Sequence, residues 1–396
     1  MEISFIIPVY NGEACVGKCI GEIRKWNKDE RIEIIVIDDG SDDDTWNILN
    51  RAAKNDPRIK IIHIENSGQG IARNCGLQAA SGKYVCFADA DDWVDVKAVY
   101  RLYKKAKETE ADVTMGGYYR VEKAGTKQVH VPGSGYIRRK GRPDEVKRYH
   151  CVKTESAFGY VWNKLYRREF LTDNHLAMDD IRKVNMEDFL FNLKVWSRGP
   201  VFYCMDCPVC YYVTEHPSTT RKPDSDVHTK SAAMIRELIL YLEENGVLEE
   251  NLDMVIPLTA RTFCWSLIKN IPYEGKSLAA LTRRACTFSE EEKISETLKN
   301  CSASMYLREL PSLPQRLFYT LCLRAVRRGK VEWVCILFYL SRSFFADSSY
   351  MLSFSVLCSC VCSRLISPSV SSWHKQDNTL MHQSPGHIQR RTPYNF

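Results

Sequence analysis

The stretch NSGQGIARNCGLQAASGKYVCFADADDW, residues 66–93, decides the fold. A loop punctuated by glycines leads into a helical segment, and an apolar strand follows that ends in Asp89, Asp91 and Asp92. Three carboxylates at the end of one strand repel each other, and a divalent cation relieves that repulsion. Mg²⁺ and Mn²⁺ prefer oxygen ligands, and substrate phosphates complete their shell. Because open α/β sheets bind nucleotides at this edge, the stretch predicts a nucleotide diphosphate bridged by a metal ion, with a solvated acidic loop as the alternative.

The alternation of strand and helix extends on both sides of this stretch. Apolar runs of strand length alternate with segments whose apolar residues recur at helical spacing. The predicted strands are 3–8, 33–37, 59–64, 84–88 and 113–119, and the predicted helices are 14–26, 44–54, 70–80 and 96–110. Strands that alternate with helices of this length indicate βαβ units. The sequence therefore predicts an α/β fold, a mostly parallel sheet flanked by helices.

The loops after the first two strands carry side chains suited to a nucleoside. Pro8 and Tyr10 end the first strand and Asp39 ends the second, so a parallel sheet places them on one rim. Tyr10 offers a flat face to a base, and Asp39 can accept hydrogen bonds from a base imide or ribose hydroxyls. Arg73 follows two glycines, and its guanidinium suits base, ribose or phosphate oxygens. The alternatives are helix capping around Asp44 and a solvated helix face for Arg73.

Motifs in a fixed order connect these features. Along the first quarter of the chain they are PVYN, IDDGS, GQGIARNCG and ADADDW. Together they resemble family 2 glycosyltransferases of the GT-A fold. Downstream, VWNKLYRREFL at 161–171 and MEDFLF at 186–191 resemble the acceptor-side motifs of bacterial polysaccharide glycosyltransferases.

The resemblance implies inverting transfer of a sugar from a nucleotide-sugar, most often a UDP-sugar, to a hydroxyl of a saccharide or lipid-linked acceptor in cell-surface polysaccharide synthesis. Asp39 would contact the uracil, with Tyr10 beside the base and Arg73 nearby. Asp91 would bind Mn²⁺ or Mg²⁺, Asp89 would face the ribose or a metal-bound water, and Asp92 would extend the metal cluster.

The acceptor side supplies the implied base. Asp188 is the expected general base and Glu187 the second candidate, because an acceptor hydroxyl needs a positioned carboxylate to take its proton as the bond forms. These two acids could instead favour the dipole at a helix start. Lys164 is a candidate for a second positive charge beside the leaving diphosphate, with a surface lysine as the alternative.

Two further segments are predicted to lie near the site. Residues 136–153 are basic and polar, which indicates a loop that crosses the site. The segment YYVTEHPSTTR at 211–221 stands where similar enzymes carry a loop over the diphosphate, and His216, Ser218 and Arg221 in it are candidate donor contacts.

The predicted organisation has three parts. Residues 1–225 form the nucleotide-sugar-binding and catalytic domain, 226–345 a helical region, and 346–396 a Ser- and Cys-rich tail that is poorly ordered. The segment 313–330 reads as a basic amphipathic helix, which either packs on the protein or lies on a membrane surface. Charged residues interrupt the apolar runs near the carboxyl end, so we expect no membrane-spanning helix.

Composition, the amino-terminal sequence and the cysteine count together give an expectation for the cellular compartment. A chain of 396 residues with 44% hydrophobic and 26% charged residues is ordinary for a soluble protein, and its net charge of +6 is mildly basic. The amino terminus has no signal-peptide pattern, so the sixteen cysteines are expected as free thiols in the cytoplasm. Cys204, Cys207 and Cys210 have metal-site spacing, but buried thiols are the favoured interpretation.

Two other functions are weighed. A nucleotide-sugar-binding protein without turnover would bind UDP and transfer nothing, although the acids needed for turnover are present. A nucleotidyltransferase would carry a glycine-rich, basic phosphate loop after the first strand, where this chain has PVYNGEA. The expected partners are a nucleotide-sugar and an acceptor, with peripheral contact to the inner face of the cell membrane left open and no nucleic acid.

Overall fold

A computed structural model of the chain describes residues 1–26, 31–131, 134–138, 158–214, 224–274, 277–308, 310 and 313–340. The strands in chain order are β1 (Ile3–Val9), β2 (Ile32–Asp39), β3 (Ile59–Ile64), β4 (Tyr84–Phe87), β5 (Trp93–Val94), β6 (Val113–Glu122), β7 (Gly125–Val129), β8 (Gly135–Arg138), β9 (Lys164–Arg167) and β10 (Phe202–Val213). The α-helices are α1 (Val16–Arg24), α2 (Thr45–Asn55), α3 (Gln69–Ala79), α4 (Val96–Thr109), α5 (Arg168–Asp173), α6 (Glu187–Ser197), α7 (Val227–Glu244), α8 (Leu252–Glu274), α9 (Leu278–Glu290), α10 (Glu292–Asn300), α11 (Ala303–Tyr306), α12 (Leu313–Arg328) and α13 (Glu332–Leu340).

The first four strands form a parallel sheet in the order β3-β2-β1-β4. Every residue of β1, β2 and β4 is buried, because helices cover both faces of the sheet. Continuous apolar strands of this kind can be predicted from the sequence. The predicted α/β class with flanking helices is confirmed. The parallel arrangement brings the ends of β1, β2 and β4 to one rim.

Beyond β4 the sheet becomes mixed. The order continues β4-β9-β6-β10-β5, with β9 antiparallel to both of its neighbours and β10 parallel to β6. Two residues separate β6 from β7, and so short a connection joins antiparallel strands. The sheet is therefore less parallel than the sequence predicts, because a short antiparallel strand lies between β4 and β6.

Apolar cores fill both faces of the sheet, and a third core extends into the helical region. One sheet face packs against α1 and α4 and the other against α3 and α6. The third core is built mainly from α7–α13, and it also takes Leu190 and Leu193 of α6. The Tyr241 hydroxyl of α7 donates to the Asn174 carbonyl, 3.1 Å away. Helix α6 is therefore shared between the sheet and the helical region.

Several predicted features fall beyond what can be described. Most of the loop at 136–153, the candidate donor contacts His216, Ser218 and Arg221, and the tail at 346–396 lie outside the described residues. The predicted boundaries at 225 and 345 stay predictions. Within the described part of the chain, no helix combines the length and the apolar character needed to cross a membrane.

Candidate active site

A cavity of about 740 Å³ opens at the carboxyl ends of β1, β2 and β4. Six of the residues predicted from the sequence line this cavity: Pro8, Tyr10, Asp39, Asp89, Asp91 and Asp188. A cavity of this volume is within the range of small-molecule sites. The residues predicted to bind the nucleoside, the acids at the end of β4 and the predicted base therefore line the same cavity.

In the part of the cavity predicted to bind the nucleoside, backbone N–H groups hold one carboxylate. Asp39 is buried, and its two carboxylate oxygens accept hydrogen bonds from the backbone N–H groups of Ser67 at 2.7 Å and Gly68 at 2.9 Å. Gly68 has a φ of 85°, a left-handed conformation that glycine adopts freely. Tyr10 stands half-exposed at the same cavity. The loop before α3 thus fixes the direction of Asp39, which keeps lone pairs to offer a ligand.

The acidic strand end separates into two groups. Asp89 and Asp91 lie on the cavity wall. Asp92 is only 3% exposed, its Oδ1 accepts from the backbone N–H of Val213 at 2.8 Å, and its Oδ2 has no hydrogen-bond partner among the described residues. Burial, with the negative charges of Asp89 and Asp91, raises the pKa of Asp92 to about 9. The sequence predicts Asp92 as a metal ligand, but the structure buries its side chain behind the described cavity wall.

Arg73 and Glu187 also lie behind the wall, where they form a buried ion pair. Arg73 Nη1 donates to Glu187 Oε1 at 3.1 Å, and Arg73 Nη2 donates to Asp89 Oδ1 at 2.7 Å. Gln69 Nε2 donates to the same Glu187 oxygen at 2.6 Å. Burial lowers the pKa of Arg73, but Asp89 and Glu187 raise it more, so the guanidinium stays charged.

These contacts change the roles predicted for Arg73 and Glu187. Arg73 was predicted to touch the donor and Glu187 to be the second candidate base. Both side chains are almost fully buried and neither lines the described cavity. The guanidinium instead ties α3 to the end of β4 and to the start of α6. The described hydrogen bonds of both side chains are therefore with other protein groups.

Asp188 faces the cavity from the first turn of α6. Met186, just before the helix, has a φ of 55°, which is uncommon for a residue other than glycine and is typical of constrained functional segments. Burial and the adjacent Glu187 raise the pKa of Asp188 to about 7, against the opposing effect of Arg73. A carboxylate with a pKa near neutrality can both accept and release a proton under cellular conditions.

Lys164 is not where the sequence predicts it. Its side chain is 1% exposed, and its ammonium donates to the Tyr160 carbonyl and, at 2.8 Å, to Asn163 Oδ1. Burial lowers the pKa of Lys164 to about 7. The lysine therefore braces the segment 160–163 from inside, and it contributes no charge to the described cavity wall.

Sequence reasoning missed an aromatic part of the wall. Tyr160, Trp162 and Tyr212 line the cavity together with the acids. Trp162 lies in the VWNKLYRREFL motif and Tyr212 in β10, 50 positions later, so no local pattern joins them. The available signal was the density of aromatic residues in GYVW and CYYV. The predicted buried thiols are confirmed, since Cys204, Cys207 and Cys210 are all buried in β10.

The amino-acid sequence is similar to those of known glycosyltransferases. The family model named Glycosyl transferase family 2 matches residues 4–174. EpsJ, an uncharacterized glycosyltransferase of Bacillus subtilis strain 168, is 32% identical over 231 residues, which is 57% of this chain and 66% of EpsJ. The GalNAc(5)-diNAcBac-PP-undecaprenol beta-1,3-glucosyltransferase of Campylobacter jejuni is 37% identical over 281 residues, which is 69% of this chain and 83% of that protein.

A solved structure shares the fold. The crystal structure of Staphylococcus aureus TarS, residues 1–349, in complex with UDP-GlcNAc superimposes with a TM-score of 0.66 at 18% identity. The match covers 87% of this chain and 92% of the TarS chain. It therefore extends beyond the sheet into the helical region, and it shows that the chain has the GT-A fold.

Proposed function

The chain belongs to glycosyl transferase family 2, and on that premise we propose that it is an inverting, metal-assisted glycosyltransferase that moves a sugar from a UDP-linked donor to a hydroxyl of a saccharide or lipid-linked saccharide. The family and the fold are those of enzymes that transfer sugars. The TarS crystals hold UDP-GlcNAc, and the C. jejuni relative is named for a polyprenol-linked acceptor. Both facts support a UDP-sugar donor and a membrane-derived acceptor.

The donor's nucleoside would bind between Tyr10 and Asp39. Uracil is flat and carries an imide N–H, which matches the face of a tyrosine and the oxygens of a carboxylate. Asp39 is already held by two backbone N–H groups, so it does not need to reorganise when the base arrives.

Asp89 and Asp91 would hold the divalent cation. Carboxylate oxygens are the ligands that Mg²⁺ and Mn²⁺ prefer, and both side chains reach the cavity. Within the described ranges no cluster of three or more His, Cys, Asp or Glu is arranged to hold a metal alone. We therefore expect the donor's phosphates to complete the shell. When bound, the ion supplies Lewis-acid stabilisation of the leaving diphosphate.

Asp188 would act as the base in a single displacement. The acceptor oxygen bonds to the anomeric carbon while the bond from that carbon to the diphosphate oxygen breaks. The electron pair leaves with UDP, and the hydroxyl proton passes to the Asp188 carboxylate. Attack on the face opposite to the diphosphate inverts the anomeric configuration. The observation that carries this proposal is the shared cavity, in which a carboxylate of pKa about 7 faces the same space as Asp39, Asp89 and Asp91.

A screen of nucleotide-sugars with Mn²⁺ tests the proposal. Asp188→Asn should keep UDP affinity and slow transfer by about 10²-fold or more, because it removes the base without removing the donor site. Asp91→Asn should weaken Mn²⁺-dependent UDP binding. Asp173→Asn, at an exposed aspartate ending α5, is the matched control and should change neither. Transfer by Asp188→Asn at the wild-type rate would refute the assignment of the base.

The two other functions predict different results. A binding protein without turnover would bind UDP in the screen yet give neither transfer nor slow donor hydrolysis. A nucleotidyltransferase would release pyrophosphate instead of UDP, so analysis of the product nucleotide separates it from a glycosyltransferase.

We also propose peripheral contact with the membrane through α12 and α13. Leu313 and Leu317 are 64% and 53% exposed, and Trp333 is 72% exposed. Exposed basic residues, including Arg324 and Lys330, lie on the same two-helix segment. Apolar side chains beside basic ones are typical of helices that lie at an anionic membrane surface.

Flotation with lipid vesicles tests this contact. The protein should float with phosphatidylglycerol vesicles at low salt and should remain in solution with neutral phosphatidylcholine vesicles. The double variant Leu317→Glu and Trp333→Glu should lose flotation and keep its UDP affinity. Failure of the wild-type protein to float with anionic vesicles at low salt would rule the contact out.

A further inference from the structure

Three aromatic rings form one wall of the cavity. The ring centroids of Tyr160 and Trp162 are 4.6 Å apart with planes 17° from parallel, and those of Trp162 and Tyr212 are 5.6 Å apart with planes 14° from parallel. Tyr118 lies behind them, buried, with its ring perpendicular to Trp162 at 4.9 Å. Trp162 is therefore nearly parallel to both tyrosines, whose own planes are 31° apart, and the Tyr118 ring is close to perpendicular to all three, which fixes their orientation.

This aromatic wall is tied to the predicted base by one side chain. Asn192 lies in α6, one helical turn after Asp188, and its Nδ2 donates to the Gly159 carbonyl at 2.7 Å. The same amide nitrogen is 3.2 Å from the Tyr160 carbonyl and 3.1 Å from the Asp188 carbonyl. Asn192 Oδ1 accepts from the Tyr166 hydroxyl at 2.8 Å. The position of Tyr160 relative to Asp188 is therefore fixed by a buried hydrogen-bond network.

A second contact ties the wall to the acidic strand end. The backbone N–H of Val213, next to Tyr212, donates to Asp92 Oδ1. The rings are thus anchored on one side to the helix of the base and on the other to the loop of the acids. The nucleoside side already has Tyr10 and Asp39, so the aromatic wall is not needed to bind the uracil.

We propose that Tyr160, Trp162 and Tyr212 are the acceptor subsite, and that they stack against a pyranose ring of the acceptor saccharide so that one of its hydroxyls reaches Asp188. This inference rests on the proposed function and names the substrate class of the same site. One face of a pyranose exposes C–H groups and packs on an aromatic plane, while its equatorial hydroxyls point outward to polar groups. An open-chain polyol has no such face, so these rings select a cyclic sugar.

Saturation-transfer NMR tests the inference without knowledge of the natural acceptor. The probes are methyl β-pyranosides, their β-linked disaccharides and glucitol as the open-chain control, each in the presence of UDP and diamagnetic Mg²⁺, because paramagnetic Mn²⁺ would broaden the proton signals. We expect saturation of the C–H protons of a pyranoside and none for glucitol. Tyr212→Leu should lower the pyranoside's affinity by about tenfold, whereas Tyr212→Phe, which keeps the ring, should change it by less than about twofold.

A neighbouring residue supplies the matched control. Tyr211 precedes Tyr212 in β10 and points to the opposite sheet face, where its ring stacks on Tyr119 at 4.8 Å. Tyr211→Leu should leave pyranoside binding intact. Tyr160→Leu provides a second test on the cavity side and should reproduce the loss.

The results separate this inference from the donor proposal. Loss of pyranoside contact in Tyr212→Leu, with UDP affinity and Mn²⁺-dependent donor hydrolysis kept, supports the acceptor subsite. The inference is overturned if no pyranoside binds, if glucitol binds equally well, or if Tyr211→Leu loses as much as Tyr212→Leu. A parallel loss of UDP affinity in the Tyr212 variant would also overturn it, because the rings would then serve the nucleoside. Absence of UDP binding in the wild-type protein would refute the donor proposal alone.

Discussion

The proposed role of Asp188 as a base rests on neighbours that hold its carboxyl group between two protonation states. Burial and Glu187 favour the neutral carboxyl, whereas Arg73 favours the carboxylate, and the result is a pKa of about 7. Only the deprotonated form can accept the acceptor's proton. Transfer should therefore rise as the pH increases through about 7 and level off above it.

Glu187→Gln tests this account of the pKa. Glutamine keeps the shape and can still accept from Arg73, but it removes a negative charge beside Asp188. The pKa of Asp188 should fall, so the acid limb of the kcat profile should move to lower pH by more than about half a unit. The profile is measured between pH 5 and pH 9 against Asp173→Asn. An unchanged limb would mean that Glu187 does not set the charge of the base.

For single residues, the sequence indicates which side chains belong near the site better than it indicates which partners they contact. Asp39 and Asp188 were singled out because each stands in a motif, and the structure brings both to the cavity. Arg73 also stands in a motif, but its partner Glu187 is 114 positions away, and no local pattern reveals the pair. A buried arginine and a ligand-binding arginine look alike in sequence.

Among the elements, the apolar strands of the parallel sheet were the most predictable, and β2 extends one residue before and two residues after its predicted bounds. Strand β3 has the predicted bounds, and β1 and β4 differ by one residue at their ends. The half-sheet beyond β4 was not predictable in this way. Strand β9 has four residues, and its place between β4 and β6 depends on pairing with strands far along the chain.

Helix α3 approaches the segment before α6 so closely that only glycine fits at position 70. A Cβ on Gly70 would lie 2.4 Å from the Asp179 carbonyl oxygen and 3.1 Å from Glu187 Cγ. Gly70→Ala should therefore push α3 away from α6 and disturb the network around Glu187. We expect a loss of unfolding free energy of about 1–3 kcal/mol and slower transfer.

Gly21→Ala is the matched control for Gly70→Ala. Gly21 lies inside α1, and apart from its chain neighbours and the backbone of its own helix no described atom lies within 4 Å of a Cβ built there. Because alanine favours a helix, this variant should be neutral or more stable by up to about 1 kcal/mol. Urea unfolding measures both variants. Equal stability of the two would show that the contact between α3 and the segment before α6 tolerates a methyl group.

Glu33 joins three parts of the parallel sheet from inside. Its carboxylate accepts from the hydroxyl of Ser4 in β1 at 2.7 Å, from the backbone N–H of Ser81 before β4 at 2.7 Å, and from Lys60 in β3 at 2.6 Å. Burial raises the pKa of Glu33, but these hydrogen bonds lower it more, to about 2. The carboxylate therefore stabilises the fold above its ordinary pKa of 4.5, and this contribution is lost as the pH falls toward 2.

Glu33→Gln should lower the free energy of unfolding at pH 7 by about 2 kcal/mol, since it weakens charge-assisted hydrogen bonds that are buried. The difference from the wild-type protein should shrink at pH 3, where the carboxylate loses part of its advantage. Glu244→Gln, at an exposed position that ends α7, is the control and should be neutral at both pH values. A difference that does not depend on pH would contradict the charge argument.

On the scale of the whole molecule, the candidate active site packs against the helical region. Leu190 and Leu193 of α6 belong to the core formed by α7–α13, and Val184 just before that helix belongs to it as well. Asp188, the proposed base, therefore lies on a helix whose outer side is covered by sequence beyond the family match at 4–174. The sequence predicted a separate helical region, but it gave no sign that this region holds the helix of the base.

Truncation tests this dependence. A chain that ends at residue 225 keeps the whole described sheet but exposes Leu190 and Leu193, and losing the burial of each leucine costs roughly 1.5–3 kcal/mol. We expect this chain to aggregate or to lack a cooperative unfolding transition, and to show no sugar transfer. A chain that ends at residue 340 keeps α7–α13 and should unfold cooperatively and bind UDP as the full chain does. Full transfer activity in the 1–225 chain would show that α6 holds Asp188 in place without the helical region, and the packing argument would fail.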